Sequence, residues 1–215
     1  MSDIDAAKKF FALGAATCAG LLLMQSKSST RIFPIEALVN PESVSKIASD
    51  IEAEGGDFAL NAWRYVGSSV GYNYYGSFLH FYDHTVKCQA CLLPLQVLSK
   101  GYANCVGKSA LLASILRNKY SSQEVYMVIG EYRRNGVGGH AWVNIKRSGT
   151  WYVAESTSLP NEITPWVSAY DLSDVYVPDA WVNDQGVICY DEEICSFDFK
   201  VSNCPCHLDK RVEKL

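Results

Sequence analysis

Cysteine, histidine and glutamate, the residue types of a covalent acyl-transfer site, stand at Cys105, His140 and Glu155. A thiolate can attack a carbonyl, an imidazole can take and return the proton, and a carboxylate on the second ring nitrogen fixes the tautomer. Each residue also has a plainer reading. A lone cysteine is commonly a small buried packing residue. A His–Glu pair across two strands is commonly a surface contact worth roughly a few tenths of a kcal/mol. What raises the chemical reading is the set: a cysteine at a helix start, followed in sequence by a histidine and an acid on paired strands.

The flanking residues predict the elements that would position this set. Cys105 follows Gly101-Tyr102-Ala103-Asn104 and opens a predicted helix. Across residues 106–118, Ala110, Leu111, Ile115 and Leu116 form an apolar face, with Lys108, Arg117 and Asn118 outside it. A helix N-terminus carries unpaired N–H groups and partial positive charge, which favours the nucleophilic thiolate and can hold an oxyanion. The backbone N–H of Cys105 is the first candidate for that oxyanion role, and Tyr72, Tyr74 and Gln96 are candidate side-chain donors. Residues 140–147 read as a strand, Ser148-Gly149 as a tight turn and 150–157 as the return strand. In that register Trp142 faces Glu155, and His140 faces Thr157. His140, Trp142 and Glu155 then share one side of the sheet, with Glu155 diagonal to His140 at about 7–8 Å between β-carbons.

Upstream, Val44, Ile47, Ala48 and Ile51 share a helical face that ends at Gly55-Gly56. Phe58, Ala62, Tyr65, Val66 and Val70 mark a second helix. Residues 78–86 read as irregular and aromatic, 124–132 as a strand, and 175–182 and 187–189 as further strands. Helices first and antiparallel strands after is an α+β order.

The chain has 215 residues, 48% hydrophobic and 20% charged, the balance of a globular protein. A net charge of -4 with no long basic run argues against nucleic acid as a partner. Residues 10–24 are apolar apart from Thr17 and follow Lys8 and Lys9. The stretch falls short of the ~20 residues of a spanning helix and matches a signal-peptide apolar region. Membrane anchor, uncleaved signal and packed helix stay open, as does cytoplasmic against membrane-associated localisation. Residues 25–30 read as a linker, 31–215 as the domain, and the part beyond about 160 as a C-terminal extension.

There are eight cysteines, and a free Cys105 leaves an odd number, so a complete disulfide framework is not the natural reading. Clustered cysteines in a reducing compartment more often bind metal or stay as thiols. Cys88-Gln89-Ala90-Cys91 has the spacing of a zinc knuckle, and Cys204 with Cys206 could supply the other half of a structural zinc site. A disulfide or plain thiols are the alternatives. His80, His84 and His207 receive no role.

Gly101-Tyr102-Ala103-Asn104-Cys105, Ala110 through Arg117, Gly130, His140-Ala141-Trp142-Val143 and Trp151-Tyr152-Val153-Ala154-Glu155-Ser156-Thr157 together resemble the transglutaminase-like superfamily of microbes. The resemblance covers about residues 47–157. It implies a papain-like Cys–His–acid triad on an α+β fold, helices first, with the nucleophile at the N-terminus of a helix packed on an antiparallel sheet. It assigns Cys105 as nucleophile, His140 as base and Glu155 as orienting acid. Two positions depart from the pattern: Glu155 stands where an Asp is usual, and Val106 where bacterial relatives often carry an acid. The implied reaction is thiol-dependent acyl transfer on an amide of a protein or peptide substrate, with no cofactor required. With water as acceptor it is a peptidase or amidase, and with an amine a cross-linking transglutaminase. The rivals are a non-catalytic binding module of the same fold and a zinc-stabilised interaction domain.

Overall fold

The computed structural model describes residues 30–82, 84–134, 136–157 and 166–190. The apolar segment 10–24, Cys204, Cys206 and most of the proposed C-terminal extension lie outside them. The chain opens with β1 (Thr30–Pro34), α1 (Ile35–Leu38), a 3-10 turn (Glu42–Val44), α2 (Ser45–Ala53) and α3 (Phe58–Ser69). Next come β2 (Gly71–Tyr72), β3 (Phe78–Phe81), β4 (Thr85–Gln89), α4 (Pro94–Lys100), β5 (Tyr102–Ala103) and α5 (Cys105–Leu116). The last run is β6 (Val125–Tyr132), β7 (Gly138–Arg147), β8 (Thr150–Ala154), β9 (Val167–Ser168), β10 (Tyr176–Asn183) and β11 (Gly186–Cys189). The fold is α+β, and among the described residues no helix is long and apolar enough to cross a membrane.

Six strands form one antiparallel sheet in the order β11-β10-β6-β7-β8-β9. Alternation splits its side chains between two faces. Val125, Met127, Ala141, Val143, Ile145, Ala154, Ala180 and Val182 join the main core with α5. Val128, Trp142, Trp151, Val153 and Trp181 form a second cluster, joined by Ala169 and flanked by Leu172 and Tyr176.

α5 packs on β6 and β7, and every residue from Val106 to Leu116 is buried. The expected solvent face is therefore absent: Lys108 is only 1% exposed. A helix enclosed on all sides has no need of amphipathic spacing. Gly107 lets it approach its neighbours, since a β-carbon there would lie 2.8 Å from Ala103 Cβ and 3.1 Å from Val97 Cγ2. Arg117 at the end of α5 donates to Asp184 in the β10–β11 turn, at 2.6 Å and 3.1 Å.

Two further expectations are corrected. Residues 78–86 are not irregular; β3 and β4 form an antiparallel hairpin flanked by β1. Cys88 and Cys91 are joined in a disulfide with their α-carbons 5.9 Å apart, so neither sulfur is available as a thiolate ligand to zinc. Cys189 is also disulfide-bonded, and Cys105 is the free thiol among the described residues. The same residues contain no cluster of metal-ligating groups.

Candidate active site

Cys105 is the first residue of α5, and Asn104 caps the helix. The Asn104 Oδ1 accepts from the Gly107 backbone N–H at 3.2 Å. Its Nδ2 donates to Tyr75 O at 3.0 Å and to Ser77 Oγ at 2.6 Å, which ties the cap to the loop after β2. That loop is also held by the backbone, because β2 runs parallel to β5 and Asn73 N donates to Ala103 O at 3.0 Å. The effect is to bring Tyr72 into the groove that Cys105 also lines. Burial, then the neighbouring Cys105, pushes the Tyr72 phenol up to about 12, so it remains a protonated donor.

His140 lies on β7 opposite Gly130 of β6. A side chain at position 130 would meet Val177 O and the Pro178 backbone, where β10 carries an irregularity in its pairing. Glycine there lets β10 close on the strand beside the imidazole. The ring sits among aromatic groups, with Tyr132 at 5.6 Å between centroids and Trp142 stacked at 6.3 Å.

The β7–β8 register matches the expected one, with Val143 opposite Ala154 and Arg147 opposite Thr150. Ser148 and Gly149 both have positive φ, 49° and 83°, as a two-residue hairpin turn requires. The ladder stops at Ala154, however, so Glu155 reaches His140 from outside it. Trp63 Nε1 donates to Glu155 O at 2.6 Å, and the Ser156 and Ser109 hydroxyls meet at 2.9 Å. These contacts draw residues 155 and 156 onto α3 and α5.

The result is a 2.8 Å contact between His140 Nε2 and Glu155 Oε2. The longer acid side chain fits because its backbone has left the ladder. Nδ1 is then the ring nitrogen left for Cys105, which lines the same groove as the imidazole. Burial disfavours the imidazolium, but hydrogen bonds to Cys105 and Glu155 and their charges outweigh it, raising His140 to about 10. Burial would raise the Glu155 carboxyl, yet His140 and Thr157 hold it below the ordinary range.

Sequence reasoning missed the groups that saturate Glu155. Thr157 donates to Oε1 twice, from its N–H at 2.8 Å and its hydroxyl at 2.6 Å. The Tyr176 hydroxyl donates to Oε2 at 3.0 Å. Thr157 carries a local signal, a hydroxyl two residues after the acid, whereas Tyr176 comes from β10 and carries none. Of the candidate oxyanion donors, Gln96 is placed elsewhere: its Oε1 accepts from Leu93 N at 3.1 Å and Arg31 Nη2 at 3.3 Å. Tyr74 is 91% exposed and packs edge-on against Tyr72. A groove lined by Tyr72, Tyr74, Phe78, Ile129 and Cys105 meets a second depression, lined by Tyr132 and Val137, at Gly139 and His140.

The family of transglutaminase-like domains matches residues 42–189. Among solved structures, a proposed cysteine protease of Cytophaga hutchinsonii is 16% identical over 66% of this chain, with a TM-score of 0.45. This chain spans 46% of that protein's length. LapG of Legionella pneumophila is 12% identical, over 75% of this chain and 93% of that one, with a TM-score of 0.47. No curated protein matches the sequence. With the match running from the 3-10 turn at Glu42 through β11, the chain belongs to the transglutaminase-like domain family.

Proposed function

We propose that the protein catalyses thiol-dependent acyl transfer on amide bonds of a protein or peptide, through a thioester on Cys105. The observation that carries the reading is the His140–Glu155 contact of 2.8 Å beside a free cysteine at a helix N-terminus. His140 takes the proton of Cys105, which makes the sulfur a nucleophilic thiolate. The sulfur attacks the amide carbonyl, and the oxyanion meets the backbone N–H of Cys105 and the Tyr72 hydroxyl. His140 then gives its proton to the departing nitrogen, the C–N bond breaks, and ammonia or an amine leaves. Water or a second amine next attacks the thioester and yields a proton to neutral His140. The C–S bond breaks and the thiolate–imidazolium pair returns. Two depressions meeting at His140 suit an extended chain passing the sulfur better than a small enclosed ligand.

A peptide library incubated with the full chain, with and without a primary amine, tests this by mass spectrometry. Hydrolysis adds a water across a cleaved or deamidated amide, whereas transfer replaces ammonia by the amine. Either product, lost in Cys105→Ala, supports the reading. Unchanged peptides with both acceptors favour a non-catalytic module.

A further inference from the structure

The two depressions that meet at His140 have different parts in an acyl transfer. The larger, about 620 Å³, is lined by both Cys105 and His140. The smaller, about 280 Å³, is lined by His140 without Cys105. An acyl group loses its nitrogen and stays on the sulfur, so it occupies the larger one. The departing nitrogen faces the imidazole that protonates it, and its chain runs on into the smaller one. Gly136, Gly138 and Gly139 line that smaller side, and a β-carbon added at any of them meets nothing within 4 Å. It therefore offers a substrate few side chains to be selected by. The acyl side offers more.

Tyr74 and Phe78 are both exposed, Phe78 by 54%. A single exposed apolar side chain is ordinary, but these two line the same groove as the sulfur. Phe78 opens β3, in which the alternate residues Leu79 and Phe81 serve the core. Packing within the chain therefore does not account for an aromatic ring at position 78. Its place is tied to the nucleophile, because the preceding Ser77 Oγ accepts from Asn104 Nδ2 at 2.6 Å and Asn104 caps the helix that Cys105 opens. Ile129, next to the glycine opposite His140, adds an aliphatic contact from β6. Among the described residues lining either depression there is no lysine or arginine, and Asp179 is the acid. An acidic segment would meet no cation there. An apolar side chain laid against Tyr74 and Phe78 removes its own surface and theirs from water. We propose that the acyl donor is an apolar peptide segment, and that Tyr74, Phe78 and Ile129 set the specificity by holding its side chains next to the scissile carbonyl. This names the substrate class of the proposed reaction and rests on Cys105 and His140 as nucleophile and base.

The test measures how fast Cys105 of the full chain is labelled by two peptide chloromethyl ketones, acetyl-Phe-Phe and acetyl-Gly-Gly, with the adducts located by mass spectrometry. Each probe alkylates the sulfur with loss of chloride and leaves its peptide on the acyl side. Dividing each rate by that of the same probe with free glutathione removes intrinsic reactivity. The Phe-Phe probe is expected to label about tenfold faster or more. In the double variant Tyr74→Ser with Phe78→Thr, the ratio of the two rates is expected to fall toward one. Taking the ratio within one variant cancels any change at the sulfur itself. Neither side chain belongs to a core cluster, so the variant keeps the packing of the domain. Equal corrected rates in the parent protein overturn the proposal, as does a ratio that the double variant retains or an acetyl-Glu-Glu probe that outpaces Gly-Gly. Iodoacetamide, which carries no peptide, separates the two readings. Selective alkylation of Cys105 alongside equal peptide-probe rates removes the apolar subsite alone, whereas no selective alkylation removes the site on which it rests.

Discussion

Glu155 carries four hydrogen bonds, from His140, Tyr176 and twice from Thr157, so its geometry is over-determined. Glu155→Gln keeps the shape but removes the charge that supports the imidazolium. The alkylation rate of Cys105 by iodoacetamide near neutral pH is expected to fall about tenfold or more. An unchanged rate would show that the acid does not govern the sulfur. The residue types of this site were legible in the sequence, because a cysteine at a helix start and a His–Glu pair across a hairpin are local patterns. Tyr176 and the burial of Lys108 were not. One arrives from a distant strand, and the lysine looks like a solvated helix charge until the packing around α5 is known.

At the level of elements, the start of α5 and the closing of β10 on β6 place the sulfur and the imidazole. Asn104→Ala removes the cap and two further hydrogen bonds. It is expected to cost about 1–2 kcal/mol, read as a lower urea midpoint. Gly130→Ala pushes a methyl group into the Val177–Pro178 backbone and is expected to cost about 1–3 kcal/mol, with His140 displaced. A neutral result would mean that β10 yields without consequence. The hairpin register was legible because Ser148-Gly149 fixes it. The departure of Glu155 from the ladder was not, since Trp63 and Ser109 cause it from other elements. The β3–β4 hairpin escaped because its reversal near Tyr82 and His84 lacks a glycine or proline signal.

For the molecule as a whole, the buried site links stability to pH. Folded His140 holds its proton up to about 10, above the roughly 6.5 of an unfolded histidine. Its stabilising contribution is fully present below pH ~6.5 and is lost as pH rises through about 10. The thermal midpoint of the parent protein should therefore drop more between pH 7 and 10 than that of His140→Gln, and parallel curves would contradict the shift. The α+β class was legible from the order of helical and strand patterns. The Cys88–Cys91 pairing was not, because the same spacing serves zinc ligands and disulfides.

The account stands on a thiolate made by an imidazole at the head of α5. Iodoacetamide labelling of the full chain near neutral pH, with the adduct located by mass spectrometry, tests it most directly. The predicted result is an adduct on Cys105 that is absent in Cys105→Ala and forms much more slowly in His140→Ala. Labelling at the same rate in His140→Ala would contradict it.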